Sequence, residues 1–409
     1  MKKLFLLTLL ALLGTNFCMA KGEKTKVITL ATIHGFHNQS KYTYEDIVRA
    51  IDTYKPDLIC VEIRPEEFRT KTYLQEMMYA TAYGDQNKIA VAPIDWYVDD
   101  AKGTDKVLRD SLMKLDRYKD MQKKLDSLES ASEILKAFTA KYGQNVLQRK
   151  DLGFEFYNGD EFNGCNRENY RLSISVFGDS PVNLSAITRN KNMVQRVNDA
   201  IKKYKAKRVV VLAGYEHKSF IDDYLKENAQ VEVLSACSIL PLNECKIGNV
   251  VANASASQYF TKVDSSEYDK FYDGMISSLL LRQHLRLNFS DEMKKDVVSI
   301  GKALQNWQKD APASTSLKYN KAWYCLLTKE YDKAIEYANA FLQSPDLEKQ
   351  VIPDFFAYRL LGFCYDMKND RTSALESYTK GKSAMAAKKI NEQAIKMVFE
   401  KYENSAFTF

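Results

Sequence analysis

The sequence predicts an α/β domain on a mostly parallel sheet, followed by an all-α region of helical repeats. Three observations carry this. Short β-branched runs alternate with helical periods up to about residue 250. Beyond residue 255 the strand runs cease and only helical spacing remains. One unit, strand then histidine-bearing turn then helix then strand, occurs twice.

The first copy of that unit opens with Val27-Ile28-Thr29-Leu30, a buried-strand run, and continues through Ala31-Thr32-Ile33 to His34, with a second histidine at His37. Thr43-Tyr44-Glu45-Asp46 reads as a helix start with Thr43 as N-cap, and Pro56 closes a helix whose apolar face is Ile47, Ala50, Ile51 and Tyr54. Leu58-Ile59-Cys60-Val61 then delivers Glu62 at the end of a second strand. Right-handed crossovers put both strand ends on one edge of a parallel sheet, the edge where open α/β sheets bind ligands. His34 and Glu62 are therefore predicted to face one crevice.

The chain around this unit follows in order. With 409 residues, 45% of them apolar, it has enough material for more than one core, and its net charge of +6 is spread too thinly to indicate nucleic acid. Lys2 and Lys3, the apolar residues 4–13 and Cys18-Met19-Ala20 read as a signal peptide spanning residues 1–20, so the mature protein is expected to be exported, periplasmic or secreted. Thr15-Asn16-Phe17 before Cys18 does not suit lipoprotein processing. No later stretch reaches the roughly 20 apolar residues of a membrane span. Export permits disulfides, and Cys237 with Cys245, flanking a turn, is the one pair close enough in sequence to consider.

Residues 73–83 are helical, and the strand ending at Ile94 carries a second acid, Asp95, which serves equally well as a turn former. Residues 102–150 form an amphipathic helical insertion on Leu108, Leu112, Leu115, Tyr118, Met121, Leu125 and Leu128. Its anchors, the Asp95 strand end and residue 189, both lie near the predicted crevice, so it is expected to cover part of it. Residues 151–184, rich in Gly, Asn and aromatics without clear period, read as a long irregular connection. The opening unit then returns: Arg208-Val209-Val210-Val211-Leu212, the turn Ala213-Gly214-Tyr215-Glu216-His217, a helix, and Val231-Glu232-Val233-Leu234. Three of the four histidines lie in the two turns; the fourth, His284, sits in a helical run and needs no special role.

The pair of turns resembles the TraB/Tiki superfamily, to which the erythromycin esterases are related. Gly214-Tyr215-Glu216-His217 matches that family's second Gly-x-x-His motif, and Ala31-Thr32-Ile33-His34 its first, with alanine where the family usually has glycine. Lys55-Pro56-Asp57 through Glu62 looks like its strand and glutamate, and Thr188-Arg189-Asn190 like its arginine motif; the resemblance covers residues 27 to about 240 outside the insertion. It implies a hydrolase acting on a peptide or small-molecule substrate through His34, Glu62, Arg189 and His217, with His37, Asp95, Asn190 and Glu216 as further candidates. The Tiki branch implies a metalloprotease, with His34, Glu62 and His217 as ligands of a divalent ion such as zinc, manganese or cobalt. The esterase branch implies water activation by His and Glu without metal, and Arg189 could stabilise the oxyanion.

In residues 255–409, Ala322-Trp323-Tyr324-Cys325 with Tyr331 to Tyr337, and forty residues later Leu360-Leu361-Gly362 with Arg371 to Tyr378, resemble tetratricopeptide repeats. That resemblance implies a surface for a protein partner. Three function classes follow: an exported hydrolase, a binding protein with an inactive α/β domain, and a scaffold acting through its repeats.

Overall fold

The computed structural model describes residues 23–38, 40–97, 104–280, 296–350 and 352–409. Residues 1–20, read from the sequence as a signal peptide, and His284 lie outside these residues. Five strands, β1 (Thr25–Thr32), β2 (Leu58–Val61), β3 (Ala90–Pro93), β4 (Arg208–Gly214) and β5 (Val231–Leu234), form one sheet in the order β3-β2-β4-β1-β5. Every pairing is parallel, and the register sets Thr32 beside Gly214 and Val61 beside Leu212.

The inner strands are short apolar runs because both faces of the sheet are covered, whereas the edge strand β5 leaves Glu232 exposed. On one face Ile28, Leu30, Ile59, Val210 and Leu212 pack with the helices Tyr44–Tyr54 and Gln75–Gln86. On the other, Val27, Leu58, Cys60, Val209 and Val211 meet Met193, Val197, Ile221 and Leu225 of the helices Asn190–Tyr204 and Tyr215–Lys226. The result is three layers. Thr43 caps its helix with a full capping box, and Lys55 ends that helix in the left-handed region at φ 51°, just before Pro56.

The topology locates the crevice. From β1 the chain crosses over β4 to reach β2, and from β4 it crosses over β1 to reach β5. Two neighbouring strands thus send their connections in opposite directions and onto opposite faces, which opens a gap between their carboxyl ends. His34 follows β1 and His217 follows β4, so both stand at this switch point.

Residues 151–184 correct the sequence reading. They hold the helices Phe154–Asn158 and Asp160–Phe177, not an irregular connection. Phe162, Cys165, Leu172 and Phe177 are buried, but Asn163, Asn166 and Glu168 share that burial. Polar residues at buried positions erased the apolar period. The insertion comprises Thr104–Met113, Asp116–Ala131 and Glu133–Tyr142, and it joins the long helix through Leu125, Leu172 and Phe177.

The carboxy-terminal region is helical throughout its described residues, as expected. Thr315–Leu327 with Tyr331–Leu342, and Asp354–Met367 with Arg371–Ala387, are successive helix pairs. Gly362 permits the second pair to close, since a Cβ there would collide with the Tyr378 ring. The core does not break near residue 255: a single apolar cluster runs from Ile28 to Phe407. Tyr79 donates to the Met275 carbonyl at 2.8 Å and Gln86 to the Val250 carbonyl at 2.9 Å, tying the helix beside the sheet to the helices that follow. Cys237 and Cys245 are free thiols. Among the described residues, no helix is long and apolar enough to cross a membrane.

Candidate active site

Glu62 is the centre of the site. It leaves β2 with only 7% of its surface exposed and accepts from two donors: Arg189 Nη2 at 2.7 Å on Oε1, and the Gly214 backbone N–H at 2.6 Å on Oε2. His217 Nε2 lies 3.5 Å from the same Oε1. Burial pushes the Glu62 carboxyl up, but His217, Arg189 and the Gly214 N–H outweigh it and hold the group below the usual range. Glu62 is therefore a buried carboxylate in its ionised form.

Arg189 also donates through Nε to Asp95 Oδ1 at 2.8 Å, and its guanidinium stacks 4.3 Å from the Tyr97 ring centroid. A π-helical turn, Ser185–Arg189, precedes the helix Asn190–Tyr204 and sets Arg189 at its head. Asp95 is almost fully buried and is pushed up to about 6 by desolvation, against the pull of Arg189 and with the help of Glu62. Its backbone carbonyl accepts from Arg196. One cation thus holds two carboxylates, with nothing close in sequence to suggest the grouping.

The two histidines of the motif turns are oriented by different partners. His217 Nδ1 donates to Asn190 Oδ1 at 2.8 Å, and Asn190 Nδ2 is committed to the Ala186 carbonyl at 3.1 Å, which assigns the Nδ1–H tautomer. Nε2 faces Glu62 Oε1 at 3.5 Å. Burial lowers the pKa of His217, opposed by the Glu62 charge. His34 instead keeps 39% of its side chain exposed, and its Nδ1 donates to Glu76 Oε1 at 2.7 Å. Burial pulls His34 down, yet the hydrogen bond and charge of Glu76, with Glu62 and Glu216 behind it, leave its pKa raised.

His34 also sits at φ 49°, in the left-handed region, a strain of order 1 kcal/mol that functional sites retain. Gly214 explains how it reaches the centre. A Cβ on Gly214 would lie 2.9 Å from His34 Nε2 and 3.5 Å from Glu62 Oε2. The φ of Gly214 is −52°, so the glycine is required for space and not for backbone freedom. In the sheet register Gly214 lies beside Thr32, not Ala31, so the two motifs are offset by one residue. Ala31 is an ordinary buried strand residue, its N–H bound to Asn158 Oδ1 at 2.9 Å.

The remaining candidates are placed as follows. His37 is buried, donates from Nδ1 to the Tyr42 carbonyl at 2.8 Å and accepts from the Ile33 N–H at 3.0 Å on Nε2, so both nitrogens are spent on the backbone of its own turn. Burial lowers it to about 4, and it is neutral. Asn190 is the orienting partner of His217. Glu216 is exposed and accepts from Tyr170 and Tyr215. Glu76 escaped the sequence reading. It is the lone acid in a helical stretch whose residues 76–84 are all buried, and an acid placed there was the available signal.

A divalent ion on His34, Glu62 and His217 suits this donor set poorly. Both Glu62 oxygens are taken, and the Arg189 cation occupies the position beside Oε1 that a metal would need. Among the described residues, no group of three or more His, Cys, Asp or Glu side chains is arranged to hold a metal ion. What the site offers is acid–base chemistry: a half-exposed imidazole on a buried carboxylate, next to an ionised carboxylate and a guanidinium.

A cleft of about 850 Å³ lies against the two histidine turns. Phe36 and Tyr215, from the two histidine turns, border it, and the insertion helix Glu133–Tyr142 and the helix Asp160–Phe177 contribute its walls. Compared with family models, curated proteins and solved structures, the chain gives no match.

Proposed function

We propose that the protein is an exported hydrolase that cleaves an ester or amide bond by general-base catalysis without a metal. The observation that carries this reading is the Glu76–His34 pair: a buried carboxylate on Nδ1 and a half-exposed ring whose Nε2 is bonded by no described protein group. His34 Nε2 takes a proton from water as the water oxygen attacks the carbonyl carbon. Glu76 stabilises the imidazolium that forms. The carbonyl electrons move to oxygen, and Arg189, whose Nη1 is bonded to no described group, is the cation nearest in kind to the need. Collapse of the tetrahedral intermediate expels the alkoxide or amine, which recovers the proton from His34. Glu62 and His217 hold Arg189 and the Gly214 turn in place around the reacting atoms.

The test uses the mature chain, residues 21–409, with 4-nitrophenyl esters in the presence and absence of EDTA. Hydrolysis is expected to survive EDTA and to fall by about 10²–10⁴ in His34→Ala, the range typical of a general base. The acid limb of the wild-type rate profile is expected above the usual histidine value, because activity needs neutral His34 and its pKa is raised. In Glu76→Gln that limb moves to lower pH. Loss of activity with EDTA and its return with zinc, manganese or cobalt would replace this reading with the metal-assisted one. Absence of hydrolysis of any ester or peptide would leave the binding-protein reading.

A further inference from the structure

The cleft beside the histidine turns has a composition unlike the rest of the chain. Charged residues make up 27% of the sequence, yet only Glu129 and Lys136 among the nineteen lining residues carry charge, one of each sign. The remainder are aromatic, aliphatic or uncharged polar, with Phe36, Phe138, Phe162 and Tyr215 forming the aromatic portion. Its volume falls within the roughly 300–1,000 Å³ that holds a drug-sized ligand.

We infer that this cleft binds the non-reacting part of the substrate, and that this part is uncharged and largely apolar, a medium-length acyl chain or an aryl group. The inference rests on the hydrolase reading for the word substrate, but the binding claim stands apart from it. Two features join cleft to chemistry. Phe36 lies two residues beyond His34, and Tyr215 directly follows Gly214, against which His34 Nε2 packs. A ligand seated between the insertion and the helix Asp160–Phe177 therefore presents its end at the histidine turns. A strongly charged ligand would have to give up water among aromatic rings without an opposing charge to repay the loss.

The experiment measures binding first. The probe is N-phenyl-1-naphthylamine, an uncharged aromatic whose fluorescence rises in apolar surroundings, titrated into the mature chain. Ala140, exposed on the insertion helix and lining the cleft, is replaced by tryptophan to fill it, with Thr139→Trp as a second variant and circular-dichroism melts to verify folding. Each is expected to weaken probe binding at least tenfold, whereas His34→Ala leaves it within twofold. Equal probe affinity in wild type and in both folded tryptophan variants overturns the inference, as does equal affinity for an anionic naphthalene sulfonate. Hydrolysis supplies the second readout. The ratio of kcat/KM for 4-nitrophenyl octanoate over acetate is expected to exceed ten in wild type and to collapse in Ala140→Trp. If no ester is cut but the tryptophan variants lose the probe, the hydrolase reading fails and the cleft assignment stands.

Discussion

The turn after β1 and the turn after β4 start from the same sequence pattern and end as opposites. His34 lies on a 3₁₀ turn, in the left-handed region, half-exposed, with a carboxylate on Nδ1 and a raised pKa. His217 lies in the first turn of a regular helix, buried, with an amide on Nδ1 and a lowered pKa. The partner on each Nδ1 comes from the element packed against the turn: the helix Gln75–Gln86 brings Glu76 to one ring, and the helix Asn190–Tyr204 brings Asn190 to the other, while burial lowers His217. Pairs of titratable groups whose environments push their pKa values apart are what acid–base division of labour requires. On the proposed hydrolase reading, this contrast gives proton transfer to His34 and positioning to His217.

The largest expected effect falls on the buried centre, which belongs mainly to the second turn. Glu62→Gln removes the charge that Arg189 Nη2 and the Gly214 N–H both address. Breaking a buried pair costs about 3–5 kcal/mol, and the low end is expected because Asp95 still holds Arg189. Urea unfolding measures it; a loss below about 1 kcal/mol would show that the second turn does not depend on Glu62.

The first turn has its own weak point, and it is pH-dependent. His37 is neutral in the fold and lowered to about 4, against about 6.5 unfolded. Between those values the unfolded chain binds more protons, so stability falls as pH drops from about 6.5 to about 4, by up to roughly 3 kcal/mol. In His37→Gln that increment of acid sensitivity should vanish. His34, whose pKa is raised, has the opposite sign: its contribution is present at low pH and is lost as pH rises through its folded value. Urea midpoints at pH 7, 5.5 and 4.5 read the two slopes.

The offset between the motifs sets the smallest pair of effects. Gly214→Ala places a Cβ 2.9 Å from His34 Nε2, and ester hydrolysis should drop about tenfold or more, a change of roughly 1.4 kcal/mol in the barrier. Ala31→Gly should leave the rate within about twofold and cost roughly 0.5–1 kcal/mol of stability, as glycine does inside a strand. Equal losses of activity in the two variants would contradict the offset and restore the two motifs to equivalence.

The sequence by itself was sufficient for the strands and for the edge on which the site stands. Apolar runs of four to eight residues are local signals, and strand direction with right-handed crossover carries Glu62, His217 and Arg189 to one end without any knowledge of side-chain contacts. Thr43 as N-cap and the stop before Pro56 were legible for the same reason, since capping is settled within a few residues. Tertiary structure decided the rest. Glu76 meets His34 across 42 residues and raises it, Asn190 meets His217 across 27, and burial lowers that second ring, all of which depends on how helices pack on the sheet. The helix Asp160–Phe177 was hidden because it buries asparagines beside aromatics, and polar residues at buried positions break the period that betrays a helix face. The need for glycine at 214, and not at 31, is likewise a matter of what stands opposite: space beside a histidine from another strand is a property of the fold and leaves no trace in either motif alone.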